Sequence, residues 1–293
     1  MQFEITAPRV LRNCSFIPRL RSRLAAARKF VLIWTDRPPL ISVVVALGRS
    51  GFAEALRKSK TFGWATRFGF GAGLLFIASG LWRWGAVEVR GHVDQVFWLS
   101  LLGLGWLLVF SRLFSWLGLS VADDAIERRN PAALTGLCGA ILALALIYIG
   151  GSLGEGPSYW NNFFSAGLGT FGFFGLWFLL ELFGRVSASI AEERDLASGI
   201  RVCGFLLSAG LILGRAVAGD WHSESATVHD FLHDGWPTAA LCFFALGIER
   251  LARPSQKCPL RPWLSHGLVP AALYVVIAIA WIYHLGRWEG MPL

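Results

Sequence analysis

The sequence predicts an all-α polytopic membrane protein of about seven transmembrane helices, including a tandem, parallel two-helix repeat. Three observations predict it. Of 293 residues, 55% are hydrophobic and only 16% charged, where soluble domains run at roughly 45–50% and about 25%; the mean hydropathy is +0.53. The apolar residues gather into runs near the length of about 20 that a spanning helix needs. The segments between those runs alternate in charge, as bilayer orientation demands.

Residues 1–62 come first, as a basic arm. It carries Arg9, Arg12, Arg19, Arg21, Arg23, Arg28, Lys29, Arg37, Arg49, Arg57, Lys58 and Lys60. Within it, Ile17 to Trp34 places Ile17, Leu20, Leu24, Ala27 and Val31 at helical spacing. Two readings stand. One is an amphipathic helix on an anionic membrane surface, with residues 9–60 as the headgroup-binding segment; the other is a basic tail. The run Leu40 to Gly48 is too short to span and is no usual signal peptide.

The expected spans are Phe68 to Trp84, Val96 to Leu119, Ala132 to Gly151, Phe163 to Gly184, Leu196 to Ala218, Gly235 to Leu251 and Gly267 to Leu285. The first and sixth are short. Trp64, Trp82, Trp84, Trp98, Trp160, Trp221, Trp236, Trp263 and Trp288 fall near span ends, where an amphipathic ring suits the headgroup layer. Domain organisation follows: 63–95 a leading helix and outer loop, 96–160 a first two-helix repeat, 161–220 a second, and 221–293 an outer His/Asp loop with a final helix pair.

Arg128, Arg129, Arg185, Arg194, Arg250, Arg253, Lys257 and Arg261 lie in alternate loops, while "GEGPSYWNN" and "GDWHSESATVHDFLHD" contain neither Lys nor Arg and only Arg83, Arg90 and Arg287 fall on their side. Positive loops stay in the cytoplasm. The expectation is a multi-pass protein of a bacterial inner membrane, N-terminus cytoplasmic and C-terminus outside. The formal charge of +8 is thereby read as orientation rather than as a nucleic-acid footprint.

The repeat is legible in polar residues as well as apolar ones. At a spacing of 65, Glu127 meets Glu192, Arg129 meets Arg194, Asn130 meets Asp195, and Cys138-Gly139 meets Cys203-Gly204. A partial third copy places Glu249 and Arg253 after Glu181 and Arg185 by 68 positions. Asn130 and Asp195 stand where helix N-caps belong, since their side-chain oxygens accept from first-turn N–H groups. Pro131 fits the next position, where a missing donor costs nothing. Small residues at Gly139, Ala143, Gly204, Ser208, Gly210 and Gly214 suit close helix approach.

The phrases "ERRNPAALTGLCGAILALALI" and "EERDLASGIRVCGFLLSAGLI", each preceded by an apolar helix, carry a resemblance. Over roughly residues 97–253 the chain resembles the domain-of-unknown-function 350 (YjfL-like) bacterial inner-membrane family. The resemblance implies a duplicated helix pair and a setting linked to envelope stress, and it carries over no catalytic residues. The basic arm, the extra helices and Arg201, standing where a small or apolar residue is expected, are departures from the family pattern.

Charges inside spans are expensive and mark functional suspects. Arg112, Glu181, Arg201 and Glu249 are the candidates for a polar cluster between helices; snorkelling, or Glu181–Arg185 and Glu249–Arg253 pairing within one helix, is the plainer reading. No cofactor is expected, with one candidate exception. His229 and His233 share a helical face, and His222, Asp220 or Glu224 is near enough in sequence to complete a metal site. No nucleophile–base arrangement or phosphate loop is found, so the expectation is a non-enzyme; a metalloenzyme built on the outer His/Asp loop is a third reading. The functional expectation is a non-enzymatic membrane component or scaffold. Its partners would be the lipid bilayer and other membrane proteins, or copies of itself. An ion or small-solute permease using the intramembrane charges is the alternative.

Overall fold

The computed structural model describes residues 62–253 and 262–286, with side chains from residue 70 onward. The chain divides into two units, Met1–Lys60 and Thr61–Leu293; the basic arm, and with it the amphipathic segment Ile17 to Trp34, lies outside the described residues. Every regular element among the second unit's described residues is a helix, with no strand among them.

Helix α1 is Phe62–Trp84. Helix α2, Val93–Phe110, tightens into a 3₁₀ segment, Ser111–Leu117, and ends on Gly118 in the left-handed region at φ 92°. Helix α3 is Pro131–Gly150 and α4 is Tyr159–Gly184. Helix α5 is Leu196–Ala216, α6 is Glu224–Gly235, α7 is Pro237–Ala252 and α8 is Val269–Leu285. Five segments are long and apolar enough to cross a membrane by length and composition: Val93–Leu117, Pro131–Gly150, Tyr159–Gly184, Leu196–Ala216 and Leu264–Leu285. Helix α7, at 16 residues, is below the length a spanning helix needs by itself.

Helices α3 and α5 form the core. They run parallel and in register: Gly139 faces Cys203, Ala143 faces Gly210, and Gly150 faces Gly214. A Cβ on Gly139 would stand 2.7 Å from the Cys203 Cα, so only glycine lets the two backbones come this close. Around this seam Leu137, Ala140, Leu144, Ile147, Val202, Leu206, Ala209 and Ile212 are buried. Helix α8 lies parallel to α5 on its other side, with Ala271 against Gly204 and Tyr274 edge-on to Phe205 at 6.3 Å.

A second layer is built from aromatic side chains. Trp106 of α2 donates through Nε1 to Thr170 Oγ1 of α4 at 3.2 Å, and Phe114 lies 5.1 Å from Trp177 between ring centroids. Farther along, Cys242 of α7 lies against the Leu176 carbonyl of α4 at 3.7 Å. These contacts, like the pairings of α3 with α5, join residues separated by 63 to 67 positions.

The periphery is apolar. Phe171 is 80% exposed, Leu251 82% and Tyr283 88%, and Phe97, Phe243, Val276 and Ile279 are exposed too. Large contiguous apolar surface of this kind needs lipid or protein against it. The α3–α5 seam is instead lined with small residues, Gly139, Ala143, Gly150, Gly210 and Gly214. That is the inverse of a water-soluble bundle, and it suits helices that associate through close packing.

The turn before α3 and the turn before α5 are built alike. A π-helical turn, Val121–Glu127, precedes one, and another, Ala188–Glu192, precedes the other. Each closes on an arginine in the left-handed region, Arg129 at φ 47° and Arg194 at φ 55°. The next residue's amide then reaches six back: Asn130 N–H to the Asp124 carbonyl at 3.2 Å, and Asp195 N–H to the Ser189 carbonyl at 3.0 Å. This closure, one residue wider than the six-to-one bond that ends an α-helix, satisfies a carbonyl that the ending turn leaves open. The same residue then caps the following helix. Asn130 Oδ1 accepts from Ala132 N–H at 3.0 Å, and Asp195 Oδ2 from Ser198 N–H at 2.9 Å. One residue therefore ends one turn and starts the next helix, which is why the loops at this end are so short.

Candidate functional site, a buried ion pair between helices

Asp195, Ser198 and Arg201 are spaced by three along the start of α5, so they rise on one face. Asp195 Oδ2 accepts from the Ser198 hydroxyl at 2.6 Å. Ser198 Oγ in turn accepts from Arg201 Nη2 at 2.8 Å. The guanidinium then reaches across to α7 as a two-pronged fork: Nε donates to Glu249 Oε1 at 2.6 Å and Nη2 to Oε2 at 2.9 Å. Its remaining nitrogen, Nη1, donates to the His266 carbonyl at 2.6 Å. That carbonyl belongs to the π-helical turn Leu264–Leu268 that leads into α8. Arg201 is 1% exposed and Glu249 4%.

A guanidinium held on Nε, Nη1 and Nη2, against a carboxylate accepting on both oxygens, is the strong form of charge-assisted hydrogen bonding. Such a pair does not rescue its own desolvation cheaply, but removing one partner strands the other charge in a dry site. Geometrically it ties three elements, α5, α7 and the entry to α8.

Of the four sequence-flagged charges, the structure joins these two. Glu181 is half-buried and turns to the end of its own helix, accepting from Ser187 N–H at 2.9 Å and from the Ser187 hydroxyl at 2.5 Å. Arg112 is exposed on the 3₁₀ segment after α2. Glu249 gives both oxygens to Arg201, not to Arg253 one turn on.

At the opposite end of the bundle the loops are joined by a short ladder. Glu155 N–H donates to Asp220 Oδ1 at 2.7 Å, and Trp221 N–H to the Glu155 carbonyl at 2.8 Å. Arg215 Nη1 lies 3.7 Å from Asp234 Oδ2, and Trp281 Nε1 donates to the Asp234 carbonyl at 2.8 Å. His229 and His233 face outward on α6, and His222 sits apart with its Nδ1 3.1 Å from the Asp220 carbonyl. Among the described residues no set of three or more His, Cys, Asp or Glu is gathered as a metal site. A cavity of about 440 Å³ opens at this end, lined by Glu88, Gln95, Ser152, Tyr159 and Asn162 among others; none of Arg112, Glu181, Arg201 and Glu249 lines it.

Sequence reasoning missed Ser198, the His266 carbonyl, and the Arg215–Asp234 contact. The spacing of Asp195, Ser198 and Arg201 was a usable signal for the first. Nothing local points to the other two, because each depends on which helices become neighbours.

An apolar periphery, an interior of small residues, and charges confined to the ends or to one neutralised pair define a polytopic helical membrane protein. Residues 76–217, just under half of the chain, match the family model described as Domain of Unknown Function (DUF350). The matched region begins earlier than the resemblance over 97–253 suggested, taking in the second half of α1, and it stops at the end of α5. Helices α6, α7 and α8 lie beyond it. No curated protein and no solved structure matches the chain.

Proposed function

We propose that the protein is a non-enzymatic scaffold of a bacterial inner membrane, in which a DUF350 domain carries an added C-terminal helix group. The observation that carries this reading is the Arg201–Glu249 pair. Arg201 lies within the matched region and Glu249 outside it, so the most buried charges among the described residues fasten the addition to that region. A solute path needs polar groups that face a water-filled space; here the guanidinium is bonded on Nε, Nη1 and Nη2 and both carboxylate oxygens are occupied.

The full reading has seven spans, N-terminus inside and C-terminus outside, with the helix pair written in tandem. Several features support it. Helix α1 is 23 residues long. Helices α6 and α7 meet at the single residue Trp236, so together they offer the length that α7 lacks. Their start aligns with that of α4, as Trp160 Nε1 donates to Glu224 Oε1 at 3.4 Å across 64 positions. Arg128, Arg129, Arg185 and Arg194 cluster in the turns of one end, and the acidic and histidine-bearing segments lie at the other. Successive units that enter the membrane in the same direction are parallel repeats. The partners are the bilayer, anionic headgroups bound through residues 9–60, and other membrane proteins or a second copy. Envelope-stress response is the setting the family resemblance implies.

The test sets flux against association. Purified protein reconstituted in vesicles is expected to pass ions and small solutes no faster than empty vesicles, and Glu249→Gln is expected to leave that unchanged. Cross-linking in native membranes is expected to recover specific neighbours that are lost when residues 1–60 are removed. Flux that depends on Glu249, or no neighbours at all, contradicts the scaffold reading; the former establishes the permease.

A further inference from the structure

The acidic end of the bundle carries the same dipeptide twice, His229-Asp230 and His233-Asp234. The two histidines lie one turn apart on α6, so their side chains project from one face. Each imidazole turns Nδ1 to the carboxylate that follows it, at 3.4 Å to Asp230 Oδ1 and 2.9 Å to Asp234 Oδ1. An ionised carboxylate only accepts, so the proton is assigned to Nδ1 and the lone pair to Nε2. Asp234 is itself set in place by Arg215, at 3.7 Å. The two rings are parallel to within 11°, with centroids 6.3 Å apart. Their side chains are 79% and 75% exposed, which leaves both lone pairs open to whatever approaches from that side.

Imidazole ligands in metal sites are held in this manner: a carboxylate fixes the tautomer and the ring plane from behind, and raises the basicity of the other nitrogen. We propose that His229 and His233 form a two-imidazole site for a divalent transition-metal ion, with Asp230 and Asp234 orienting the ligands. The ion takes two protein nitrogens, and water fills the remaining positions. Nitrogen donors select copper, nickel or zinc, with Cu²⁺ held most tightly of the divalent series, and they disfavour calcium and magnesium, which want oxygen. Metal–nitrogen bonds of about 2.0–2.1 Å draw the rings closer than they stand, which exposed side chains accommodate by rotation. His222 is not part of the site.

Cu²⁺ titration of the full-length protein in detergent, followed by electron paramagnetic resonance and by competition against a chelator, tests the proposal. The expected result is a tight site whose nitrogen splitting reports two equivalent imidazoles. His229→Ala and His233→Ala should each weaken binding about tenfold or more and leave one nitrogen. His222→Ala should change nothing, and Asp230→Asn with Asp234→Asn should weaken binding by about tenfold, the usual range for losing orienting partners. Wild-type protein that shows one nitrogen or none, or a His229→Ala/His233→Ala double variant that binds Cu²⁺ like the wild type, overturns it. Thermal unfolding of the same variants without metal separates a lost ligand from a lost fold.

Discussion

Arg201 is the residue on which the C-terminal helices hang. Its partner, Glu249, lies 48 positions away, and the two charges meet only because α5 and α7 pack side by side. Truncating one member leaves the other buried and unpaired, which typically costs about 3–5 kcal/mol. Arg201→Leu and Glu249→Leu are each expected to lower thermal stability in detergent by that order. The double variant Arg201→Leu/Glu249→Leu is expected to recover most of the loss, because two apolar side chains leave no stranded charge. Equal losses that simply add would show that the pair is not coupled. The sequence flagged both residues as costly charges within apolar runs. It left the partner of Glu249 open, since Arg253 one turn on is as plausible by spacing. The N-cap positions were fully legible at Asn130 and Asp195, because capping is decided by nearest neighbours. The left-handed arginines were not: Arg129, Arg185 and Arg194 adopt a conformation usually given to Gly, Asn or Asp, and nothing in their side chains announces it.

At the scale of elements, the α3–α5 seam is set by glycine. Gly139→Ala places a Cβ 2.7 Å from the Cys203 Cα, a backbone neighbour that cannot turn aside, so the helices must part. Gly175 on α4 has nothing within 4 Å of the same added atom. Gly175→Ala is therefore expected to leave stability unchanged or raise it by up to about 1 kcal/mol, the helical preference for alanine. Gly139→Ala is expected to lower it by about 1–3 kcal/mol, the usual cost of overpacking. Thermal unfolding of the two single variants in the same detergent compares the signs directly; a Gly139→Ala protein as stable as the wild type would place the seam elsewhere. The long apolar helices were legible because length and hydropathy settle them. The π-helical turns were not, because their bonds depend on how the chain must descend into the next helix. The break between α6 and α7 did carry a signal, Pro237, whose missing N–H favours the first position of a new helix.

For the whole molecule, the claim is that successive helix pairs thread the membrane in the same direction and pack side by side. The parallel seam of α3 with α5, and of α5 with α8, is what such threading produces. Helix α8 ends the row: it carries Val269, Leu273, Val276 and Ile279 as exposed, bulky side chains, where α3 and α5 present glycines to a neighbour. Sidedness measures the claim most directly. In a background without the natural cysteines, single cysteines are placed at Glu127 and Glu193 in the two arginine turns, and at Glu155 and Ser225 at the other end. Labelling with a membrane-impermeant thiol reagent should reach Glu127→Cys and Glu193→Cys from one side of the membrane only, and Glu155→Cys and Ser225→Cys from the other only. Labelling that puts Glu127→Cys and Glu193→Cys on opposite sides would contradict the account.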